Sequence, residues 1–228
     1  MANRYFTSQT FDFLAALSAN NRRDWFLENK PRYEETVRQP ALNFIRDMAS
    51  DLAMISPHFF ALPRKVGGSL IRVNRDVRFG NDKRPYKTNI GIQFRHEQGK
   101  DIHAPGFYLH IEKGECFIGA GIWRPDAKTL GKIRDAIIEK SDRWITSQDD
   151  EKFRKTFTLS GDALKTYPRG YDKNHPLIAD LRRKDFIAIA PIEENDITSP
   201  TLLPLVANHF AQAAPLMRFL CHALELRF

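Results

Sequence analysis

Between residues 71 and 123 apolar and polar side chains alternate with a period of two, and that alternation confines the segment to a sheet with one buried face. Ile71, Val73, Val77 and Phe79 alternate with Arg72, Asn74, Asp76 and Arg78. Ile90, Ile92 and Phe94 alternate with Asn89, Gly91, Gln93 and Arg95. Phe107, Leu109 and Ile111 alternate with Tyr108, His110 and Glu112, and Cys116, Ile118, Ala120 and Ile122 with Phe117, Gly119, Gly121 and Trp123. The runs are separated by Gly80-Asn81-Asp82, by a loop holding Gly99, Pro105 and Gly106, and by Lys113-Gly114-Glu115, a tight-hairpin pattern. The expectation is a four-strand antiparallel meander over about 69–123 with one apolar and one polar face.

Helical spacing dominates on either side. Phe11, Phe13, Leu14 and Leu17 suit a first helix capped by Ser8 or Thr10, and Asn21 with Asp24 resembles a capping box for a second. Pro31 suits a first helical turn, Pro40 a kink or fresh start, and Leu42, Ile45, Ala49 and Leu52 follow helical spacing. Pro125 opens a helix with Leu130, Ile133, Ile137 and Ile138 on its apolar stripe, and Trp144 and Phe153 suggest another. Residues 156–161 fit a short strand or turn, Phe186–Ala190 a buried strand, and Pro200–Phe228 helix broken at Pro215. Without a repeat, linker or low-complexity tract, a single α+β domain over 1–228 is expected, its helices covering the apolar sheet face.

The bulk numbers exclude several classes. A content of 42% hydrophobic and 28% charged residues is that of a folded globular chain, and 17 Phe supply core volume. No run approaches the ~18 apolar residues a membrane helix needs, so no membrane partner is expected. The N-terminal residues lack the pattern of a secretory signal. Cys116 and Cys221 stand far apart, without metal or disulfide spacing, and suit a reducing cytoplasm as free thiols.

Charge singles out one segment. From Arg64 to Arg95 there are nine basic residues against Asp76 and Asp82, an excess equal to the whole chain's +7. Positive charge so concentrated repels itself unless an anion or carboxylates answer it. Arg72, Arg75, Arg78, Lys83, Arg84 and Lys87, with Tyr86 and Asn89, are the candidate ligand-binding residues. The expected ligand is an anionic small molecule or a phosphate group. Arg75 falls out of pattern between Val73 and Val77, so it is either re-aimed by a bulge or buried and paired.

The catalytic candidates are Asp76 and His110, the latter beside Glu112 on one strand face as a base with its orienter. No HExxH, CxxC, GxSxG or Walker loop occurs, so neither a metal, a cofactor nor a serine nucleophile is called for. Three functional readings stay open. One is binding of an anionic, phosphate-bearing ligand at the polar sheet face and the turn 72–89. A second is an enzyme acting on a phosphoester or another anionic substrate. The third is a nucleic-acid binder with Tyr86 stacked on a base. A structural alternative is an ion-pair network of the arginines with Glu193, Glu194 and Asp196. A one-residue slip in register would invert the polar face.

The run RVNRDVRFGNDKRPYKTNIG resembles the signature of the domain-of-unknown-function 2461 family. In that family an Arg-Asp-x-Arg-Phe segment precedes a Lys-x-Pro-Tyr-Lys turn, matched here by Arg75, Asp76, Arg78, Phe79, Lys83, Pro85, Tyr86 and Lys87. Asn20-Asn21-Arg22 with Asp24-Trp25-Phe26, Gly106-Phe107-Tyr108 with His110-Ile111, and Gly119, Gly121, Trp123 and Pro125 add to the resemblance. It implies a soluble, single-domain protein without an assigned activity and supplies no catalytic residues.

Overall fold

The computed structural model describes residues 5–78, 82–99, 104–149 and 151–228. Phe79, Gly80 and Asn81 of the basic turn, and His103, lie outside them.

Six strands form one antiparallel sheet in the order β1-β2-β3-β4-β6-β5. They are β1 (Phe59–Phe60), β2 (Ile90–His96), β3 (Gly106–Glu112), β4 (Glu115–Ile122), β5 (Thr158–Ser160) and β6 (Phe186–Ile192). The α+β class is as the sequence implies, and β2, β3 and β4 form a meander. Ile92 pairs with Leu109 and Leu109 with Ile118, which continues to Ala190 on β6, so the apolar residues share one face. On the other face Gly91, His110, Phe117 and Pro191 form one row, and Gln93, Tyr108, Gly119 and Ile189 the next.

The expected first strand of the meander does not form. Segment 69–78 meets β2 and the turn before it through isolated bridges, Leu70 with Ile92 of β2 and Asn74 with Tyr86 of the turn. The Ile71 amide donates to the Gly91 carbonyl at 2.9 Å, and the Lys87 amide to that of Val73 at 2.7 Å. Between these contacts one chain advances two residues and its partner four, which leaves Thr88 and Asn89 as a bulge. A bulge turns the extra side chains out of the pleat's alternation. Here it aims both at β3.

Helices pack around the sheet, with the longest on its apolar face. They are α1 (Ser8–Ala19), α2 (Arg23–Glu28), α3 (Lys30–Tyr33), α4 (Gln39–Ile55), α5 (Ala127–Glu139), α6 (Ser141–Asp149), α7 (Glu151–Thr156), α8 (Ile178–Leu181), α9 (Glu194–Ile197) and α10 (Leu202–Ala223). A π-helical turn at Glu34–Arg38 joins α3 to α4. Such a turn frees carbonyls from the regular ladder. Two hydroxyls answer them: Thr36 donates to Arg32 O and Thr10, from α1, to Thr36 O, each at 2.8 Å.

The long helix α10 packs on β3, β4, α4 and α6. Phe210 fills the centre of this layer, 4.7 Å from the ring of Phe107 and 5.6 Å from that of Phe94. Trp144 of α6 closes the layer against Phe186 and Phe219. Pro215 lies inside α10 and does not break it, contrary to expectation. A proline there costs about 3 kcal/mol. Phe210, Leu216, Met217, Phe219 and Leu220 are all buried, at about 1.5–3 kcal/mol each, so packing outweighs the local defect.

Candidate functional site

Asn21 does not cap α2; it holds the basic turn instead. Its Nδ2 donates to the Tyr86 carbonyl at 2.9 Å and its Oδ1 accepts from the Tyr86 amide at 3.0 Å. Tyr86 is thereby fixed beside α2, its ring stacked on Phe26 at 4.1 Å between centroids and only 5% exposed. A ring buried in this way offers no face to a ligand or a base. Tyr86 anchors the turn; the sequence reading of it as a contact residue is corrected.

The charged residues sort into two groups. Asp76 and Asp82 each begin the same local device, Asp-x-Arg. In each, one carboxylate oxygen accepts from the backbone amide two residues on, and the same residue's guanidinium closes back on the carboxylate. Arg78 binds Asp76 through Nε at 3.0 Å and Nη2 at 2.7 Å. Arg84 binds Asp82 through Nη2 at 2.6 Å and its amide at 3.0 Å. Arg75 donates to the same Asp82 oxygen at 2.6 Å, so the out-of-pattern arginine is a paired one. Both carboxyls are held below the usual carboxylate range, chiefly by the hydrogen bonds from Arg78 and Arg84 respectively. Lys83 donates to the Val77 carbonyl. An Asp76 so engaged makes a poor base, and the pairing partners are local rather than Glu193, Glu194 or Asp196. Glu194 is bound by Lys113 and by the Gly114 amide.

Arg72 and Lys87 form the second group. Neither side chain has a hydrogen-bond or ion-pair partner among the described residues. Lys87 is half-buried, and burial lowers its pKa first, followed by the charges of Arg72 and Arg75. Three cations thus converge, with Arg72 in the field of the Asp76 carboxylate and Arg75 sharing Asp82 with Arg84.

A polar relay lies beyond the bulge. Thr88 donates to Glu112 Oε1 at 2.5 Å, and Glu112 Oε2 lies 3.3 Å from His110 Nε2. His110 Nδ1 lies 3.2 Å from the Tyr108 hydroxyl and 3.4 Å from Asn89 Nδ2. A carboxylate at Nε2 and two donors at Nδ1 favour the Nε2–H tautomer with Nδ1 as acceptor. The imidazole stacks on Phe117 at 4.6 Å and an interplanar angle of 8°. Burial and then Glu112 push the Tyr108 phenol up to about 12, which keeps it a donor. His110 and Glu112 are paired as the alternation implied. The parts played by Thr88 and Asn89 depend on the bulge, for which the sequence carries no signal.

Gly91 and Gly121 of this face serve packing. A β-carbon on Gly91 would lie 2.7 Å from the Tyr108 hydroxyl and 3.0 Å from Ile71 Cδ1, so Gly91 makes room for the tyrosine. Ile71 is therefore on the face of Tyr108, and the expected wall of Arg72, Asn74, Asp76 and Arg78 alongside Tyr108 and His110 is not built in that form. Gly121, at φ +132°, has no space for a side chain, because its β-carbon would meet the Phe186 carbonyl at 2.0 Å. It allows β4 and β6 to pair and does not expose backbone to a ligand.

A cavity of about 440 Å³ opens on the same face, walled by Phe117 and Ile189 and rimmed by Glu115, Glu193 and Glu194. Its acidic rim is the wrong sign for an anion. Among the described residues no group of three or more His, Cys, Asp or Glu is placed to hold a metal ion. No helix of the described residues is long and apolar enough to cross a membrane.

Residues 9–219 match the family described as conserved hypothetical protein (DUF2461), and the chain belongs to that family. No curated protein and no solved structure matches the chain.

Proposed function

We propose that this member of the DUF2461 family binds a small anionic ligand, bearing a phosphate or carboxylate, at Arg72 and Lys87 with Arg75 beside them. One observation carries the reading. In the segment 72–87 the carboxylates of Asp76 and Asp82 neutralise Arg78, Arg84 and Arg75, while Arg72 and Lys87 have no such partner among the described residues. A half-buried ammonium next to guanidiniums is unfavourable without an anion, and a bound oxyanion removes that repulsion. Arg72 supplies a planar fork and Lys87 a point charge, the usual pairing for phosphate and carboxylate groups.

A thermal-shift screen of phosphorylated and carboxylated metabolites tests this. Wild type gains stability with at least one compound class, and the double variant Arg72→Gln, Lys87→Gln gains none. A hit that stabilises the double variant as much as wild type sinks the reading.

Turnover at this site is a second reading, favoured by the His110–Glu112 pair. An imidazole held through Nε2 by a carboxylate has the arrangement of a general base. Within this reading His110, and not the ion-paired Asp76, accepts the proton.

A further inference from the structure

Lys87 differs from lysines whose amines are engaged elsewhere in the fold. Lys113, Lys132 and Lys155 each bind a carboxylate, and Lys83 a carbonyl. The Lys87 amine is half-buried and has no such partner among the described residues. The backbone fixes where it sits. Its amide donates to Val73 O at 2.7 Å, and the Arg75 amide donates to Pro85 O at 2.8 Å. Lys87 therefore lies across the paired segments from Val73, between the positions of Arg72 and Arg75. The Asn21–Tyr86 bonds lock the residue before it. The bulge after it carries Thr88 and Asn89 onto the Glu112–His110 relay.

We propose that the Lys87 amine forms an imine with the carbonyl carbon of a small oxo-acid or oxo-phosphate whose anionic group is held by Arg72. This names a substrate class for the same site and rests on the anion-binding reading. The amine lone pair adds to the carbonyl carbon as the C=O π pair moves to oxygen, and one proton passes from the nitrogen to that oxygen, giving a carbinolamine. Loss of the nitrogen proton and of hydroxide, which leave together as water, forms the C=N bond. Nothing is oxidised or reduced.

Two features favour this chemistry over a simple salt link. Only the neutral amine is nucleophilic, and burial with two neighbouring guanidiniums increases its share near neutral pH. The same guanidiniums attract the anionic end of the substrate, so the site that weakens the ammonium also concentrates the carbonyl compound beside it.

The test is reductive trapping on the full chain. Glyoxylate, or the uncharged glycolaldehyde, is incubated with the protein and cyanoborohydride near neutral pH, and the modified lysines are mapped by peptide mass spectrometry. With glyoxylate, Lys87 should carry the adduct at least tenfold faster than any other lysine. Arg72→Gln should cut that rate tenfold or more while leaving trapping by glycolaldehyde within about threefold. Trapping spread over surface lysines, or none at Lys87, overturns the imine. The anion reading is scored separately: loss of phosphate-induced thermal stabilisation in Arg72→Gln sustains it whether or not an imine is trapped. Selective trapping at Lys87 with equal rates for glyoxylate and glycolaldehyde overturns Arg72 as the anchor of the substrate. A Lys87→Arg variant, folded by circular dichroism, should show no selective adduct.

Discussion

Asn21 is bonded to Tyr86 through both ends of its amide, to the carbonyl at 2.9 Å and to the backbone N–H at 3.0 Å. The two residues stand 65 positions apart, so one side chain ties the basic turn to the helical layer. A backbone pair left unanswered in a part-buried place costs about 1–3 kcal/mol. Asn21→Ala should therefore lower unfolding stability by roughly that amount in denaturant titration, and should weaken binding of any ligand found for Lys87. A change under about 0.5 kcal/mol would show that the turn is held by Tyr86 packing alone.

Gly91→Ala should disturb the relay before it disturbs the fold. The new methyl meets the Tyr108 hydroxyl, which can swing away, rather than backbone. A cost of about 1–3 kcal/mol is expected for such overpacking. NMR of the His110 imidazole should show its Nδ1 environment change as Tyr108 leaves. An unchanged signal would mean that the Tyr108 bond is not formed in solution.

Two other glycines bracket the scale. Gly121→Ala places a methyl against the Phe186 carbonyl in a backbone region closed to side chains, and should prevent soluble expression or lower stability by more than about 3 kcal/mol. Gly131, inside α5, has open space where a side chain would go. Gly131→Ala should raise stability by about 0.5–1 kcal/mol in the same denaturation assay.

Acid should loosen the turn in a stated direction. The Asp82 and Asp76 carboxyls are held below their unfolded values, so each favours the folded state at neutral pH. That contribution is fully present above the unfolded value of about 3.9 and fades as pH falls below it toward the folded value. Asp82→Asn should thus be less stable than wild type at pH 7, with the gap closing below about pH 4. A gap that stays constant down to pH 2 would place the role of Asp82 in packing rather than charge.

Much of this was legible in the chain, and the failures share a cause. The alternation from Ile90 to Ile122 identified β2, β3 and β4 and their core face, because a sheet covered on one side imposes period two. It also brought His110 to Glu112. The same alternation over Ile71–Phe79 misled. Its described part, 71–78, lies at a sheet edge, where pairing is partial and a bulge at Thr88 and Asn89 shifts register. Pattern reading marked the segment as charged but not its internal bookkeeping, although the repeated Asp-x-Arg at 76–78 and 82–84 was there to be read. Tyr86 looked like a surface aromatic because its partner, Phe26, is distant in sequence. Pro215 looked like a break because the burial that overrides it is tertiary.

The anion should bind at Arg72 and Lys87, which have no ion-pair partner among the described residues, and not at Arg78, which is engaged with Asp76. Calorimetric titration of pyrophosphate into wild type, Arg72→Gln and Arg78→Gln tests it most directly. Wild type should bind, Arg72→Gln should lose tenfold or more in affinity, and Arg78→Gln should stay within about twofold. Equal binding by wild type and Arg72→Gln, with the loss falling on Arg78→Gln instead, would contradict the account.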